Sequence, residues 1–297
     1  MKNIREINRN LDAVQQTRHI TNAMYMLSAT AMRKVLSQIE YNDKYMRYVC
    51  TAVKDILEKS PGVRNEFIHG DDYAGNRDTA ILAIASDKSL CGAYNHNVAA
   101  VVQREIARVE NEGREAVVYT VGQKIAEILR GRGVEVYQNF ERASASPNMH
   151  DAYTMAQEII DVYRCGFAQD CYVIFTDYRS AAAQPIVCHR LLPLAVENFE
   201  TLSLDRPYEA KMTYEPSVEA VYEKMVPEYL QGFLYGCLCN ASVCENMSRM
   251  TAMQSATHNA DEMLQSLETA YNTARQQIIT SELTEIAAAT ELIKNAI

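Results

Sequence analysis

Glycine and proline are confined to the middle of this chain: neither occurs before Pro61 or after Gly236. Both residues break helices, glycine through its backbone freedom and proline through its missing N–H. Each flank, roughly sixty residues long, can therefore run as one helix, while the punctuated middle must fold as something else.

The N-terminal flank fits a coiled-coil frame. A seven-residue register places Ile4, Ile7, Leu11, Val14, Tyr25, Met32, Val35, Ile39, Met46, Val49, Val53 and Ile56 on one seam, the spacing that lets two helices wind together. Arg18, Thr21 and Ser28 interrupt it together, while Met24, Met26 and Leu27 lie off the seam. That predicts a helix face that changes partner within "RHITNAMYMLSATAMRK", with a local stutter as the alternative. In the C-terminal flank, Pro227 suits a first helical position, so a long helix is expected from about residue 227, after a short one opened by "EPSVEAVYEKMV". Its seam runs through Met250, Met253, Ala260, Leu264, Leu267, Tyr271, Ala274 and Ile278, then slips to Ile279, Leu283, Ile286 and Ile293. Such a helix is on the order of 100 Å long, against about 30 Å for a small domain, so the flanks must shield each other by pairing.

Strand-like and helix-like segments alternate in the middle. "TAILAIAS", "EAVVYTV", "VEVYQNF", "CYVIFTDYRS" and "QPIVCHRLLPL" read as strands, with Pro185 marking an edge, and helical patterns separate the first four. The expected fold class is α/β: a coiled coil of the two terminal helices plus a Rossmann-like, doubly wound sheet. The expected domains are residues 1–60, 61–215 and 216–297.

A net charge of −9 and a pI near 5.3 argue against a nucleic-acid partner, which requires clustered Lys and Arg. No apolar run approaches the eighteen or so residues of a membrane span, so a membrane connection is expected to be peripheral. The eight cysteines lie in apolar patterns with no secretory signal ahead of them, and are read as reduced and intracellular. Within "CLCNASVC", Cys237 and Cys239 point about 200° apart on a helix and cannot share a metal. The six histidines are scattered, and neither Gly-rich nucleotide motif follows a strand. No cofactor, metal or catalytic residue is therefore expected. "ASDKSLCGAYNHN" is the most unusual stretch of the middle: Cys91 with His96 as base is one reading, and a packed Cys91 beside a turn at Gly92 is the favoured one.

Three blocks in order, "HITNAMYMLSATAMRK", "ASDKSLCGAYNHN" and "SRMTAMQSATHNADEM" continuing to "YNTARQQIITSELTEI", resemble the gamma subunits of F-type ATP synthases. "QPIVCHRLLPL" and "YEPS" add to the resemblance, which covers essentially the whole chain. It implies an antiparallel coiled coil with a Rossmann-like domain at its base, acting as the non-catalytic central rotor that couples ion flow to ATP synthesis or hydrolysis. The implied partners are an alpha3beta3 hexamer around the upper coil, with an epsilon subunit and a membrane c-ring at the base. The resemblance places Arg275 and Gln276 against a loop of a catalytic beta subunit, and Lys88 and the Met24 region near that subunit's acidic lever. Arg33, Arg249, Thr280 and Glu282 complete the implied contacts with the alpha and beta subunits. The chain departs from the family at Asn22 and Tyr25, where lysines are common, at Ser89 in place of glycine and at Ser281 in place of glutamine. With no Arg-rich, Ser-rich transit segment at Met1, a bacterial protein is expected at the cytoplasmic face of the cell membrane. Two other readings compete: a coiled-coil scaffold for a different helical partner, and a small-molecule enzyme using Asp87, Lys88 and Cys91 at the carboxyl ends of the strands.

Overall fold

The computed structural model describes residues 4–59, 67, 78–141, 143, 146–194, 199 and 214–295, without the side chains of 57–59 and 290–295. The expected boundary at residues 60 and 61, His69 and the side chain of Ile293 lie outside this set. In order, the elements are α1 (Ile4–Lys59), β1 (Asp78–Ile84), α2 (Tyr94–Asn111), β2 (Ala116–Val121), α3 (Gln123–Gly131), β3 (Val136–Phe140), α4 (Met149–Arg164), β4 (Ala168–Thr176), β5 (Ile186–Leu192) and α5 (Val218–Asn295). They form two compact units, Met1–Leu27 with Met250–Ile297, and Ser28–Arg249. The terminal helices thus contribute to both.

In the larger unit the sheet order is β3-β2-β1-β4-β5. The first four strands run parallel, and β5 pairs antiparallel with β4 at the edge, directly after Pro185. The mixed α/β class and parallel-rich sheet expected from the alternation are present. β1 is buried on both faces, as a central parallel strand must be. Ala80, Leu82 and Ile84 meet one cluster with Met155 and Ile159 of α4, Val49 and Val53 of α1 and Tyr222 and Val226 of α5. Ile81 and Ala83 meet the other, with Val98 and Val102 of α2 and Ile125 and Leu129 of α3. Period-two alternation in one strand therefore directs which helices cover which face.

The helix expected to begin at Pro227 begins at Val218 and carries that proline inside it. Ser217 sets the start: its carbonyl accepts from Val221 N at 3.2 Å and its hydroxyl accepts from Ala220 N at 3.2 Å, a serine N-cap. An internal proline costs about 3 kcal/mol. Burial of Tyr222 and Val226 before it, and of Tyr229 and Leu230 after it, is worth about 1.5–3 kcal/mol for each such side chain and outweighs the loss.

The two long helices approach closely here. Asn42 Nδ2 donates to Gly232 O at 3.1 Å. A Cβ on Gly232 would lie 2.5 Å from Met46 Sδ and 2.9 Å from Tyr45 Cε1, so only glycine permits this crossing without displacement. Asn42 is the remaining seam position that sequence patterning left polar, and it is buried at 6% exposure.

In the smaller unit α1 and α5 also pair antiparallel, with the Thr21 and Thr257 hydroxyls 2.7 Å apart and an ion pair between Arg18 and Asp261. Thr21 is 8% exposed, and Ser28 in the larger unit is 4% exposed. The expected change of helix face is therefore corrected. The seam keeps its position and buries small hydroxyl residues, of which Thr21 is hydrogen-bonded to Thr257 on the facing helix. Ile20, Met26 and Leu27 remain outside it, at 59%, 58% and 71% exposure.

Two expectations follow. Gly122 has φ 114°, and a Cβ there would stand 2.7 Å from Ser86 O and 2.9 Å from Ala85 O. Gly122→Ala therefore clashes with backbone that cannot rotate away, and should lower the unfolding free energy measured in urea by about 2–4 kcal/mol. His189 packs against Phe233 in a tilted pair with centroids 4.7 Å apart, and burial, then the Arg190 charge, holds its imidazole below the usual 6.5. The unfolded chain takes up that proton first, so stability is lost as pH falls through about 6.5. His189→Phe should lose less stability than the parent between about pH 7.5 and 5.5 in urea titrations.

Candidate functional site

Two exposed features carry the candidate residues, one in each unit. In the smaller unit it is the last stretch of α5. Extending the antiparallel register of Thr21 with Thr257 and Arg18 with Asp261 places Ile4 opposite about residue 275. Every residue from 275 to 289 is exposed. The apolar positions predicted there, on either side of the slip, are open to solvent: Ile278, Ile279, Leu283 and Ile286 are 46%, 44%, 62% and 63% exposed. Arg275, Gln276, Thr280 and Glu282 are interleaved with them, all exposed. The Thr280 hydroxyl donates to Gln276 O at 2.8 Å, and Thr284 repeats the pattern onto Thr280 O at 2.7 Å. Each hydroxyl oxygen keeps acceptor capacity for an outside donor. Met24, in the same unit, is half-buried.

The second feature is the turn after β1. Ser86 N donates to Asn95 Oδ1 at 3.0 Å, the Ser86 hydroxyl lies 2.7 Å from Lys88 O, and Asn95 Nδ2 donates to Ser86 Oγ at 2.7 Å. This buried network holds the turn from inside. Leu90 adopts φ 66°, a conformation that branched L-residues seldom occupy. The tip presents Lys88 and Leu90 to solvent. Cys91 is buried, with Asn95 Nδ2 3.3 Å from its sulfur, whereas the His96 ring is exposed and lies 3.2 Å from Arg132. Cys91 therefore makes its polar contacts with Asn95, Ser86 and the Lys88 carbonyl, in agreement with the packed reading of this cysteine.

Arg249, expected at a partner surface, is only 8% exposed. It pairs with buried Glu245 at 2.6 Å and donates to Ser89 O at 3.4 Å, so its placement braces the turn. Burial raises the Glu245 carboxyl pKa, opposed by the Arg249 charge. Arg33 is exposed in the same unit. The structure thus groups Met24, Arg275, Gln276, Thr280 and Glu282 in one unit and Arg33, Lys88 and Arg249 in the other. Sequence reasoning passed over Glu245 and gave Asn95, within the unusual stretch after β1, no role. The four-residue spacing from Glu245 to Arg249 was the available signal for the first.

The cysteines are unpaired, with Cys237, Cys239 and Cys244 buried in α5. Burial pushes the Cys239 thiol up to about 11 and the Cys244 thiol up to about 12, the behaviour of inert packed thiols. Among the described residues, no three His, Cys, Asp or Glu side chains are placed to hold a metal. Among the same residues, no helix is long and apolar enough to cross a membrane.

A pair of long antiparallel helices bearing a β3-β2-β1-β4-β5 sheet is the fold of rotary ATP synthase central stalks. A chain from the OSCP/F1/c-ring part of the Euglena gracilis mitochondrial ATP synthase matches with a TM-score of 0.68 at 16% identity, covering 98% of this chain and 94% of that one. A central-stalk chain of the Tetrahymena thermophila enzyme matches at 0.59 and 23% identity, over 80% of this chain and 99% of that one. The family model described as ATP synthase matches residues 3–292. The ATP synthase gamma chain of Caldanaerobacter subterraneus is 34% identical over 95% of this chain and 97% of that one. A sodium ion specific gamma chain of Acetobacterium woodii is 30% identical over 98% and 99%. The chain belongs to the family of ATP synthase gamma chains.

Removing one member of a buried ion pair costs about 3–5 kcal/mol, because the other charge is stranded. Arg249→Met should show a loss of that size in urea at neutral pH, and a smaller loss as pH falls and Glu245 takes up a proton. Arg249→Met with Glu245→Leu should recover most of it.

Proposed function

We propose that this chain is the non-catalytic central rotor of an F-type ATP synthase, coupling ion flow through a membrane c-ring to ATP synthesis or hydrolysis in an alpha3beta3 hexamer. The observation that carries the reading is the end of α5, where four large apolar side chains are exposed beyond the reach of α1. An apolar helix face in water is unfavourable by about 25 cal/mol per Å², and a sleeve of alpha and beta subunits would cover it. Arg275, Gln276, Thr280 and Glu282 would then meet catalytic subunits as polar contacts worth about 0.5–1.5 kcal/mol each. Bonds of that size hold a shaft angle without locking it.

The mechanism requires asymmetry. A single shaft presents different side chains to three identical catalytic subunits, so each angle favours a different set of nucleotide affinities. Met24, Arg33 and Lys88 are further contacts in this reading, while Arg249 acts from behind the Lys88 turn. The base would meet an epsilon subunit and the c-ring, making the chain a peripheral protein of the inner face of a bacterial cell membrane. The transported ion is set by the ring.

Co-expression with alpha and beta subunits, followed by size-exclusion chromatography and an ATPase assay, tests the proposal. The expected particle contains one copy of this chain per three alpha and three beta, with hydrolysis that depends on it. A chain that elutes alone, folded and monodisperse, would overturn the reading. In that particle, Arg275→Ala with Gln276→Ala should slow turnover by about tenfold while leaving assembly intact. Unchanged turnover would remove both from the contact set.

A further inference from the structure

Doubly wound sheets hold ligands outside the carboxyl ends of their strands, at the point where strand order reverses. In this sheet that point lies between β1 and β4. It is occupied by the chain itself, through residues 240–249 of α5. On the β4 side, Asn240 Oδ1 accepts from Tyr178 N at 3.3 Å and Met247 Sδ lies 3.0 Å from Gln184 Nε2. On the β1 side, Ala241 O accepts from the Tyr94 hydroxyl at 3.1 Å and Arg249 donates to Ser89 O. Between them Cys244, at 0% exposure, joins the apolar cluster of α2 and β1.

The contacts are distributed around the helix. At about 100° per residue, Met247 falls within about 20° of Asn240, whereas Ala241 and Arg249 lie about 100° and 180° away. Turning the helix about its axis would displace Asn240, Met247 and Arg249 from their partners on both sides of the seat. Apolar packing alone resists such rotation weakly, because one side chain can replace its neighbour in a groove. Hydrogen bonds across the seat resist it because their geometry is directional.

We infer that the crevice of the α/β unit, in place of binding a ligand, is a keyed seat that fixes the rotational phase of α5, with Tyr94, Gln184 and Asn240 as positioning residues. This rests on the rotor reading, since a phase lock matters only where the helix carries torque. The seat makes the α/β unit turn with the shaft under load.

The test uses the complete ion-translocating complex in sealed vesicles and reads ions pumped per ATP hydrolysed. Tyr94→Phe, Gln184→Leu and Asn240→Leu combined should lower that ratio by about twofold or more, since several weak bonds are lost together, with hydrolysis maintained. A purely structural role would lower the amount of assembled complex and leave the ratio unchanged, and an unchanged ratio overturns the inference. Should the triple variant fail to assemble, Tyr94→Phe with Gln184→Leu, one bond from each rim, decides by the same ratio. Loss of chain-dependent hydrolysis in the parent complex would instead count against the rotor reading, so the two failures are distinguishable.

Discussion

A helix buries only as much of itself as another element covers. α5 contains 78 residues and α1 contains 56, and the described structure follows from that inequality. Where α1, the sheet or α4 lies alongside, α5 is packed, and its residues from Tyr222 to Cys244 supply a large part of the core. Beyond about residue 275 α5 passes the described start of α1, and apolar side chains that a coiled coil would seal are exposed. The same constraint explains the interior of the larger unit. α5 must cross the carboxyl edge of the sheet, and in doing so it takes the place that related topologies leave to a ligand.

Much of this was legible in the sequence because the signals are periodic. The strands and helices of the middle were readable from alternation, and α1 and the part of α5 after Gly236 from the missing glycine and proline. The start of α5 was misplaced because Pro227 matches a helix N-terminus locally, while burial of Tyr222 and Val226 is a tertiary effect. The interruption of the α1 seam was misread for a related reason. Thr21 and Ser28 look like breaks on a hydrophobicity scale, yet Thr21 meets a hydroxyl from a residue 236 positions away. A buried polar pair has no periodic signature.

The candidate site was less legible. Residues that resemblance placed on a partner surface are exposed at Arg275, Gln276, Thr280, Glu282, Arg33 and Lys88. Arg249 differs, because pairing with Glu245 absorbs its charge inside the fold. Lys88 was visible in the sequence, but the scaffold that aims it was not: the Ser86 and Asn95 network joins residues nine positions apart through side chains that are unremarkable singly.

The bare apolar tip of α5 has a consequence for the cell. Chaperones and proteases recognise exposed hydrophobic segments, and steady-state abundance follows what they remove. On the rotor reading, a copy that has not met its partners would carry such a segment, whereas an assembled copy would hide it. On that reading the level of this chain would follow the supply of its partners, with surplus copies degraded without any dedicated regulator of stoichiometry.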